Sequence, residues 1–173
     1  LHTHWIKQNN ISATYEKKKL DHNELKDLVL EVKEKKIDGI NVTVPFKNTI
    51  IPHLDYLSEE AKKTQSVNTI YVKNKKVVGH NTDIGGFEVA INKANFSLSD
   101  KNVLILGAGG VVPSIIYSLI KMRVSKILIT NRTKQKAEEL KKIFNNIEIV
   151  EWGNMPNFDV IINATSLGLN VDD

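Results

Sequence analysis

The spacing of apolar residues in the first part of the chain predicts a helix followed by a strand. Residues 25–32 carry leucine and valine at helical spacing, behind a capping-box-like start at Asp21 and Glu24. Residues 37–44, IDGINVTV, then alternate as the side chains of a strand do. We expect Pro45 to end this strand, because proline fixes φ and has no N–H for ladder pairing.

A hairpin and a second helix are predicted next. The segments VNTIYV and KKVVG flank a turn at residues 73–75, a pattern typical of two paired strands. A helix then begins near residues 82–83 and carries apolar side chains through Ile91.

From Asn102 the pattern changes to apolar strands that alternate with helices. The predicted strands are 102–106, 126–130, 147–150 and 159–165, and the predicted helices end near residue 121 and span about 134–145. Such alternation predicts right-handed crossovers and a parallel sheet with helices on both faces. The expected fold class is α/β: an incomplete Rossmann-type doubly wound parallel sheet domain plus a smaller α/β domain.

The composition changes near residues 95–101, NFSLSDK, which we take as the domain boundary. We expect a first domain over residues 1–83, a linking helix and linker over 84–100, and a nucleotide-binding domain over 101–173. Both ends are expected to be truncated. The chain opens without Met in the middle of a helical pattern, and a six-stranded dinucleotide fold needs more chain than this.

Composition places the chain among ordinary globular proteins. No apolar run approaches the ~20 residues that span a bilayer, and the first residues lack a signal-peptide layout. The net charge of +4 arises from lysines spread along helix faces and interrupted by glutamate, which favours solvated faces over nucleic-acid binding. The absence of cysteine agrees with a cytoplasmic protein and excludes a thiolate metal site.

A glycine-rich loop joins the strand at 102–106 to the next helix. The loop consists of Gly107, Ala108, Gly109, Gly110 and Val111. Glycine lets the backbone turn sharply and approach a pyrophosphate, while the positive end of the helix favours the anion. Val112 stands where the usual fingerprint has a third small residue, and Pro113 fits the first helical turn. The loop predicts dinucleotide binding, and a glycine turn without a ligand is the alternative.

The residues after the second strand of this sheet distinguish two cofactors. NAD binders usually place Asp or Glu there for the ribose 2′-OH, whereas this chain has Asn131, Arg132 and Thr133, with Lys136 one turn later. A guanidinium pairs with a 2′-phosphate, which a carboxylate would repel. We therefore predict NADP over NAD. The alternative is a solvated Arg132 beside a helix N-cap at Thr133.

Three polar groups lie upstream, on the predicted strand, hairpin and helix. They are Asn41, Thr43 and Lys47; Asn68 and Thr69; and Asn81, Thr82 and Asp83. Each group alone fits a cap, a turn or an exposed side chain. Together they supply an amine, a carboxylate and several neutral donors and acceptors, which suits a polyhydroxylated substrate. An ammonium beside a carboxylate can exchange a proton with a carbonyl or alcohol oxygen as hydride moves.

Six motifs in this order resemble the shikimate dehydrogenase family over nearly the whole chain. The motifs are NVTVPFK, SVNT, GHNTD followed by GGF, ILGAGG, TNRT and INATSLGL. The resemblance implies an NADP-dependent enzyme that interconverts 3-dehydroshikimate and shikimate in aromatic amino-acid biosynthesis. We expect a small-molecule substrate, no nucleic-acid or membrane partner, and a monomer or homodimer.

The resemblance also implies roles for individual residues. Lys47 and Asp83 match the family's catalytic pair and also bind substrate, and Asn41, Thr43 and Asn68 match further substrate-binding positions. The implied cofactor-binding residues are the glycine loop, the clamp of Asn131, Arg132, Thr133 and Lys136, and Ala164, Thr165 and Ser166 of the last motif.

Some features depart from the family pattern. Phe46 replaces a His or Tyr, with little expected effect because its face points away from the polar set. A Ser-x-Ser element before residue 1 and a glutamine-containing segment beyond Asp173 are outside the printed sequence. The chain alone is therefore expected to bind substrate poorly.

Two other functions stay open. One is a quinate/shikimate dehydrogenase that prefers NAD, which Arg132 disfavours. The other is a non-catalytic NADP-binding regulator, which would have no need of Lys47 and Asp83. His2 and His4 alternate as metal ligands can, but no third ligand is evident, so no metal site is predicted.

Overall fold

The computed structural model of the protein describes residues 1–168. Leu169 of the last motif and the predicted end of the second domain lie outside the described residues. The first part of the chain, up to His80, forms a mixed four-stranded sheet and three α-helices. Its elements are α1 (His2–Gln8), α2 (Leu25–Lys33), β1 (Gly39–Asn41), β2 (Tyr56–Leu57), α3 (Glu59–Thr64), β3 (Thr69–Lys73) and β4 (Lys76–His80).

The first sheet has the strand order β1-β3-β4-β2. Both β1 and β4 run antiparallel to β3, and β2 runs parallel to β4. The predicted hairpin is confirmed, and its turn residues Asn74 and Lys75 both have positive φ (52° and 62°), the backbone of a two-residue hairpin turn. This sheet packs its apolar face on α2. The resulting core includes Leu25, Val29, Val32, Ile70 and Val77.

The predicted strand at residues 37–44 is much shorter in the structure. Only β1 (Gly39–Asn41) pairs with β3, although the N–H of Val42 still donates to the carbonyl of Asn68 at 2.8 Å. The chain then turns, because the N–H of Phe46 donates to the carbonyl of Thr43 at 2.9 Å. The alternation predicted over residues 37–44 does not extend to its last residue, since Val42 is 9% exposed but Val44 is 69% exposed.

The predicted capping box and the two long helices of the middle region are confirmed. The N–H of Asp21 donates to the Glu24 carboxylate at 2.7 Å, ahead of a short 3₁₀ turn and α2. Helix α4 (Asp83–Lys93) begins where the sequence placed it, with Thr82 at the N-cap position. Its residues Phe87 and Ile91 pack against the core of the second sheet.

The second sheet is parallel, with the order β7-β6-β5-β8. Its elements are β5 (Asn102–Leu106), α5 (Val112–Lys121), β6 (Lys126–Thr130), α6 (Lys134–Ile143), β7 (Ile147–Ile149) and β8 (Val160–Asn163). Helix α6 ends two residues before the predicted Asn145. The parallel strands that alternate with helices confirm a Rossmann-type α/β arrangement, but within the described residues α5 and α6 pack on the same face of the sheet and not on both faces, as the pattern had predicted.

The second core forms on one face of this sheet. Val103, Ile105, Ile127 and Ile129 point towards α5 and α6, whose apolar residues complete the same buried cluster. Leu104 and Leu128 alternate to the opposite face and are not part of that cluster. The two sheets thus have separate hydrophobic cores, each built from its own residues. Within the described residues, no helix is long and apolar enough to cross a membrane.

Candidate active site

The side chains of Lys47 and Asp83 form a short ion pair. Nζ of Lys47 lies 2.7 Å from Oδ2 of Asp83, and the two side chains are only 13% and 24% exposed. Lys47 comes from the turn after β1, and its carbonyl accepts from the N–H of Val67 at 2.7 Å. Asp83 is the first residue of α4. Two segments far apart in the sequence therefore supply the amine and the carboxylate of one site.

Asn68 holds the carboxylate from its other side and is itself held by Thr82. Nδ2 of Asn68 donates to Oδ1 of Asp83 at 2.8 Å and to Oγ1 of Thr82 at 2.9 Å. The N–H of Thr82 donates back to Oδ1 of Asn68 at 2.9 Å. The carboxylate of Asp83 is thus held between the amine of Lys47 and the amide of Asn68.

Asn41, the last residue of β1, and Thr43, two residues later, are both exposed. Asn41 stands opposite Thr69 in the register of β1 and β3, so it is next to Asn68 across the sheet. Oδ1 of Asn41 accepts a hydrogen bond from the hydroxyl of Tyr15 at 3.0 Å. The hydroxyl of Thr69, the strand partner of Asn41, donates to Oδ1 of Asn68 at 3.0 Å, and Asn68 in turn bonds Asp83.

The glycine loop connects β5 to α5 in a backbone conformation that requires glycine at its first position. Gly107 has a φ of +105°, and a Cβ placed there would lie 2.8 Å from the carbonyl oxygen of Ala164. The N–H of Gly107 donates to the carbonyl of Thr130 at 2.9 Å, which ties the loop to the end of β6. Pro113 occupies the first turn of α5, as expected. The loop thus exposes its next residues, Gly109 and Gly110, at the positive end of α5.

The glycine loop lies directly beside the ion pair. A Cβ built on Gly110 would be in van der Waals contact with Cδ of Lys47, at 3.8 Å. The hydroxyl of Ser66 donates to the carbonyl of Gly110 at 3.2 Å. The structure therefore joins a dinucleotide-type loop and an acid–base pair in one cleft, which the linear sequence could not show.

The segment after β8 packs against the glycine loop. Oδ1 of Asn163 accepts from the N–H of Thr165 at 3.0 Å and from its hydroxyl at 2.7 Å. This local turn places Ala164 against Gly107. Of the predicted residues in this segment, Ala164 and Thr165 are partly buried, and Ser166 is exposed.

The turn from β6 to α6 carries the predicted phosphate clamp. Arg132, Thr133 and Lys136 are all exposed, and Nδ2 of Asn131 donates to the carbonyl of Thr133 at 2.8 Å. Thr133 occupies the N-cap position of α6, but its side chain makes no capping hydrogen bond there. Among residues 1–168, Arg132 forms no salt bridge, so its guanidinium is available to an anion.

Several residues that line the cleft were not assigned to the site from the sequence. Tyr15 and Ser66 are absent from it, and Thr82 and Asn81 enter only as members of a polar group. Thr82 had a usable signal, because it adjoins Asp83 at a helix start. His80, at the end of β4, contacts Oγ of Ser58 through Nδ1 at 2.9 Å. Over residues 1–168, no three His, Cys, Asp or Glu side chains group as metal ligands do.

The fold and the cleft define a two-part α/β protein with a Rossmann-type half. Residues 1–70 match the family model described as shikimate dehydrogenase substrate binding domain, and residues 88–171 match the model described as shikimate / quinate 5-dehydrogenase. The chain therefore belongs to the shikimate dehydrogenase family.

Relatives with curated names agree. The NADP(+) shikimate dehydrogenase of Pelagibacter ubique (strain HTCC1062) is 55% identical over 173 residues, which cover 100% of this chain and 65% of that protein. The crystal structure of shikimate dehydrogenase from Aquifex aeolicus superposes with a TM-score of 0.87 at 38% identity, covering 99% of this chain and 65% of that one. The Thermus thermophilus enzyme in complex with NADP(H) and shikimate gives a TM-score of 0.84 at 28% identity, covering 97% and 63%. The chain spans slightly less than two thirds of these relatives.

Proposed function

We propose that the protein of which this chain forms part is an NADP-dependent shikimate dehydrogenase of aromatic amino-acid biosynthesis. The observation that carries the proposal is the proximity of Lys47 to Gly110, where an added Cβ would lie 3.8 Å from Cδ of the lysine, so that the acid–base pair is beside the dinucleotide loop. The names of the relatives, which include NADP(+) and, in one solved complex, shikimate, support the same substrate and cofactor.

The residues present fit NADP. Because Gly107 has no Cβ, the glycine loop can pack closely against the backbone of Ala164. Arg132 is exposed and has no carboxylate partner among residues 1–168. We assign the loop 107–111 and residues 164–166 to the dinucleotide. Asn131, Arg132, Thr133 and Lys136 would hold its 2′-phosphate, because a guanidinium binds phosphate through two hydrogen bonds.

The bound cofactor supplies or accepts a hydride at the C3 carbon of the substrate. In the reducing direction, Lys47 gives a proton to the carbonyl oxygen as that carbon gains the hydride, so 3-dehydroshikimate becomes shikimate. Asp83 holds the amine of Lys47 in place through the 2.7 Å pair. Asn68 fixes Asp83 in turn.

The substrate would lie on the exposed side of β1 and β3. Asn41, Thr43 and Asn68 offer amide and hydroxyl groups there, next to Lys47 and Asp83. We assign residues 1–83 to the substrate domain, 84–100 to the link and 101–173 to the NADP domain. The proposal extends to a cytoplasmic enzyme that is a monomer or a homodimer.

The test is an activity assay on a chimera of full family length. This chain replaces the matching 173 residues of the Pelagibacter ubique relative, which itself serves as the positive control. We expect 3-dehydroshikimate to be reduced with NADPH, more slowly with NADH, and quinate to be a poor substrate for the reverse reaction. A folded chimera that binds NADP but turns over no substrate would overturn the enzyme proposal and favour a regulator.

The Lys47→Ala variant of the chimera tests the assigned chemistry. General acid–base catalysis contributes typically about 100-fold or more, so we expect turnover to fall by about that factor. NADP affinity, measured by titration calorimetry, should stay within about twofold, since Lys47 is assigned to proton transfer and the loop assigned to the cofactor is unchanged. An unchanged turnover would remove Lys47 from the mechanism.

A further inference from the structure

A cluster of buried polar side chains lies between the two sheets, behind the Lys47–Asp83 pair and the glycine loop. We call it the junction, and it consists of Thr64, Ser66, Asn81 and Ser114. All are buried, with Thr64 at 0%, Ser66 at 2%, Asn81 at 2% and Ser114 at 1% exposure. Polar side chains are rarely buried to this extent unless their hydrogen bonds are satisfied.

Asn81 is the centre of the junction. Its Nδ2 donates to the carbonyl of Ser66 and to Oγ of Ser114, both at 2.9 Å, and lies 3.4 Å from Oγ1 of Thr64. Its Oδ1 accepts from the N–H of Asp83 at 3.0 Å. One amide therefore ties together the loop after α3, the first residue of α4 and the first turns of α5.

Each of these partners is connected to the reacting groups. Asp83 holds the ammonium of Lys47, and its own N–H is fixed by Asn81. Ser66 bonds Gly110 of the dinucleotide loop through its hydroxyl while its carbonyl accepts from Asn81. Ser114 lies in α5, directly after that loop. A shift at Asn81 would thus move the acid–base pair relative to the loop.

We propose that the junction sets the distance between the Lys47–Asp83 pair and the dinucleotide loop, with Asn81, Ser66 and Ser114 as positioning residues. None of the three needs to touch substrate for this role. Hydride transfer depends on donor and acceptor being aligned to within a fraction of an ångström, and a misplacement of about 1 Å can cost about 100-fold in rate. The inference rests on the proposed dehydrogenase function.

Helix α5 offers a matched pair of variants. Ser114 and Ser118 are both buried serines one turn apart, but only Ser114 bonds Asn81, whereas the hydroxyl of Ser118 bonds the carbonyls of Ser114 and Ile84. In the chimera, Ser114→Ala should lower kcat about tenfold and leave the KM of both substrates within about twofold, because binding groups remain. Ser118→Ala should lower the unfolding midpoint similarly but keep kcat within about twofold.

Two further measurements separate positioning from stability. With NADPH deuterated at the transferred position, the isotope effect on kcat should rise in Ser114→Ala and stay unchanged in Ser118→Ala, because only a misaligned hydride step becomes more rate-limiting. Ser66→Ala provides a second route if Ser114→Ala does not fold, and Ser99→Ala is its control. Ser99 is exposed and bonds only its neighbour Asp100.

The outcomes of the test are distinct for the two proposals. A wild-type chimera without turnover refutes the proposed function, and amide exchange at Asp83, measured by NMR, then tests the junction alone. That exchange should accelerate in Ser114→Ala and not in Ser118→Ala. Equal kinetic effects of the two serine variants, or equal exchange, would overturn the positioning role.

Discussion

The dinucleotide loop requires a backbone conformation at Gly107 that favours glycine. Its φ of +105° is a conformation that L side chains rarely adopt, and an added Cβ would approach the Ala164 carbonyl oxygen to 2.8 Å. The Gly107→Ala variant should therefore lose about 1–3 kcal/mol of unfolding free energy. Urea denaturation followed by circular dichroism measures the loss.

A matched glycine in α4 gives the opposite expectation. A Cβ added at Gly86 would meet nothing within 4 Å, and this residue lies in the helix Asp83–Lys93. Gly86→Ala should stabilise the protein by up to about 1 kcal/mol, because alanine is the better helix former. If both glycine variants change stability in the same direction, the backbone explanation for Gly107 is wrong.

At the residue scale, the sequence could indicate chemistry but not contacts. Lys47 and Asp83 were predictable because an amine and an aspartate stood in recognisable motifs. Ser114 lies outside the quoted motifs, and Ser66 lies inside one, SVNT, but neither serine shows its bonding partners until the fold buries it. The 44-residue separation between Ser66 and Gly110 shows why: only the packing of the two halves brings them together.

The turn between β6 and α6 is the element whose charge should select the cofactor. Arg132 follows β6 directly and is exposed, where a charge-assisted hydrogen bond to a phosphate is worth about 1.5–3 kcal/mol. Arg132→Ala should therefore weaken NADP binding about 10-fold to 100-fold and leave NAD binding nearly unchanged. Titration calorimetry with both cofactors measures this, with Lys134→Ala as the control for loss of a nearby positive charge.

The result that contradicts this prediction is also clear. If Arg132→Ala weakens NADP and NAD binding equally, then the guanidinium contributes a general attraction and does not recognise the 2′-phosphate. Lys134 is the first residue of α6 and is also exposed, so an equal effect of both variants would lead to the same conclusion.

The stability of the first sheet should depend on pH through Asp55, which lies directly before β2. The pKa of Asp55 lies below its ordinary value of 3.8, because its carboxylate accepts from the N–H of Val77 and pairs with Lys33. A lowered pKa in the folded state stabilises the fold at pH values above 3.8, and this contribution disappears as pH falls through the folded pKa.

Asp55→Asn should consequently lower the urea midpoint at pH 7, and its difference from wild type should shrink as the pH falls below about 4. Asp38→Asn, an exposed change of the same charge, corrects for the change in net charge. A difference between wild type and Asp55→Asn that persists unchanged to about pH 2 would mean that the paired carboxylate does not stabilise this segment.

Element positions were predicted better than element lengths. Helices α4 and α5 and the hairpin stand where periodicity placed them, because their apolar patterns coincide with burial. The strand at 37–44 was overestimated, since alternation alone cannot show where a partner strand ends. Pairing with β3 stops at Asn41, and the next residues turn towards the cleft.

The molecule has two cores, which meet at the buried polar junction and where α3 and α4 lie against α5. The first core is centred on residues such as Ile70 and Val77, and the second on Ile105 and Ile116. The buried hydrogen bonds of the junction connect them, and hydrogen bonds contribute only about 1 kcal/mol each to stability. We therefore expect the two halves to open independently under native conditions.

Hydrogen exchange with and without NADP tests this independence. A ligand present at about 100 times its Kd stabilises the part that binds it by about 2.7 kcal/mol. NADP should accordingly raise the free energy of exchange at the amides of β5 and β6 by about 2.7 kcal/mol. At the amides of β3 and β4 the increase should be less than half of that. The Arg132→Ala variant, at the same NADP concentration, should show smaller protection in β5 and β6. Equal protection of both sheets in the wild type would mean that the halves unfold as one unit, and that the junction is stronger than its few hydrogen bonds suggest.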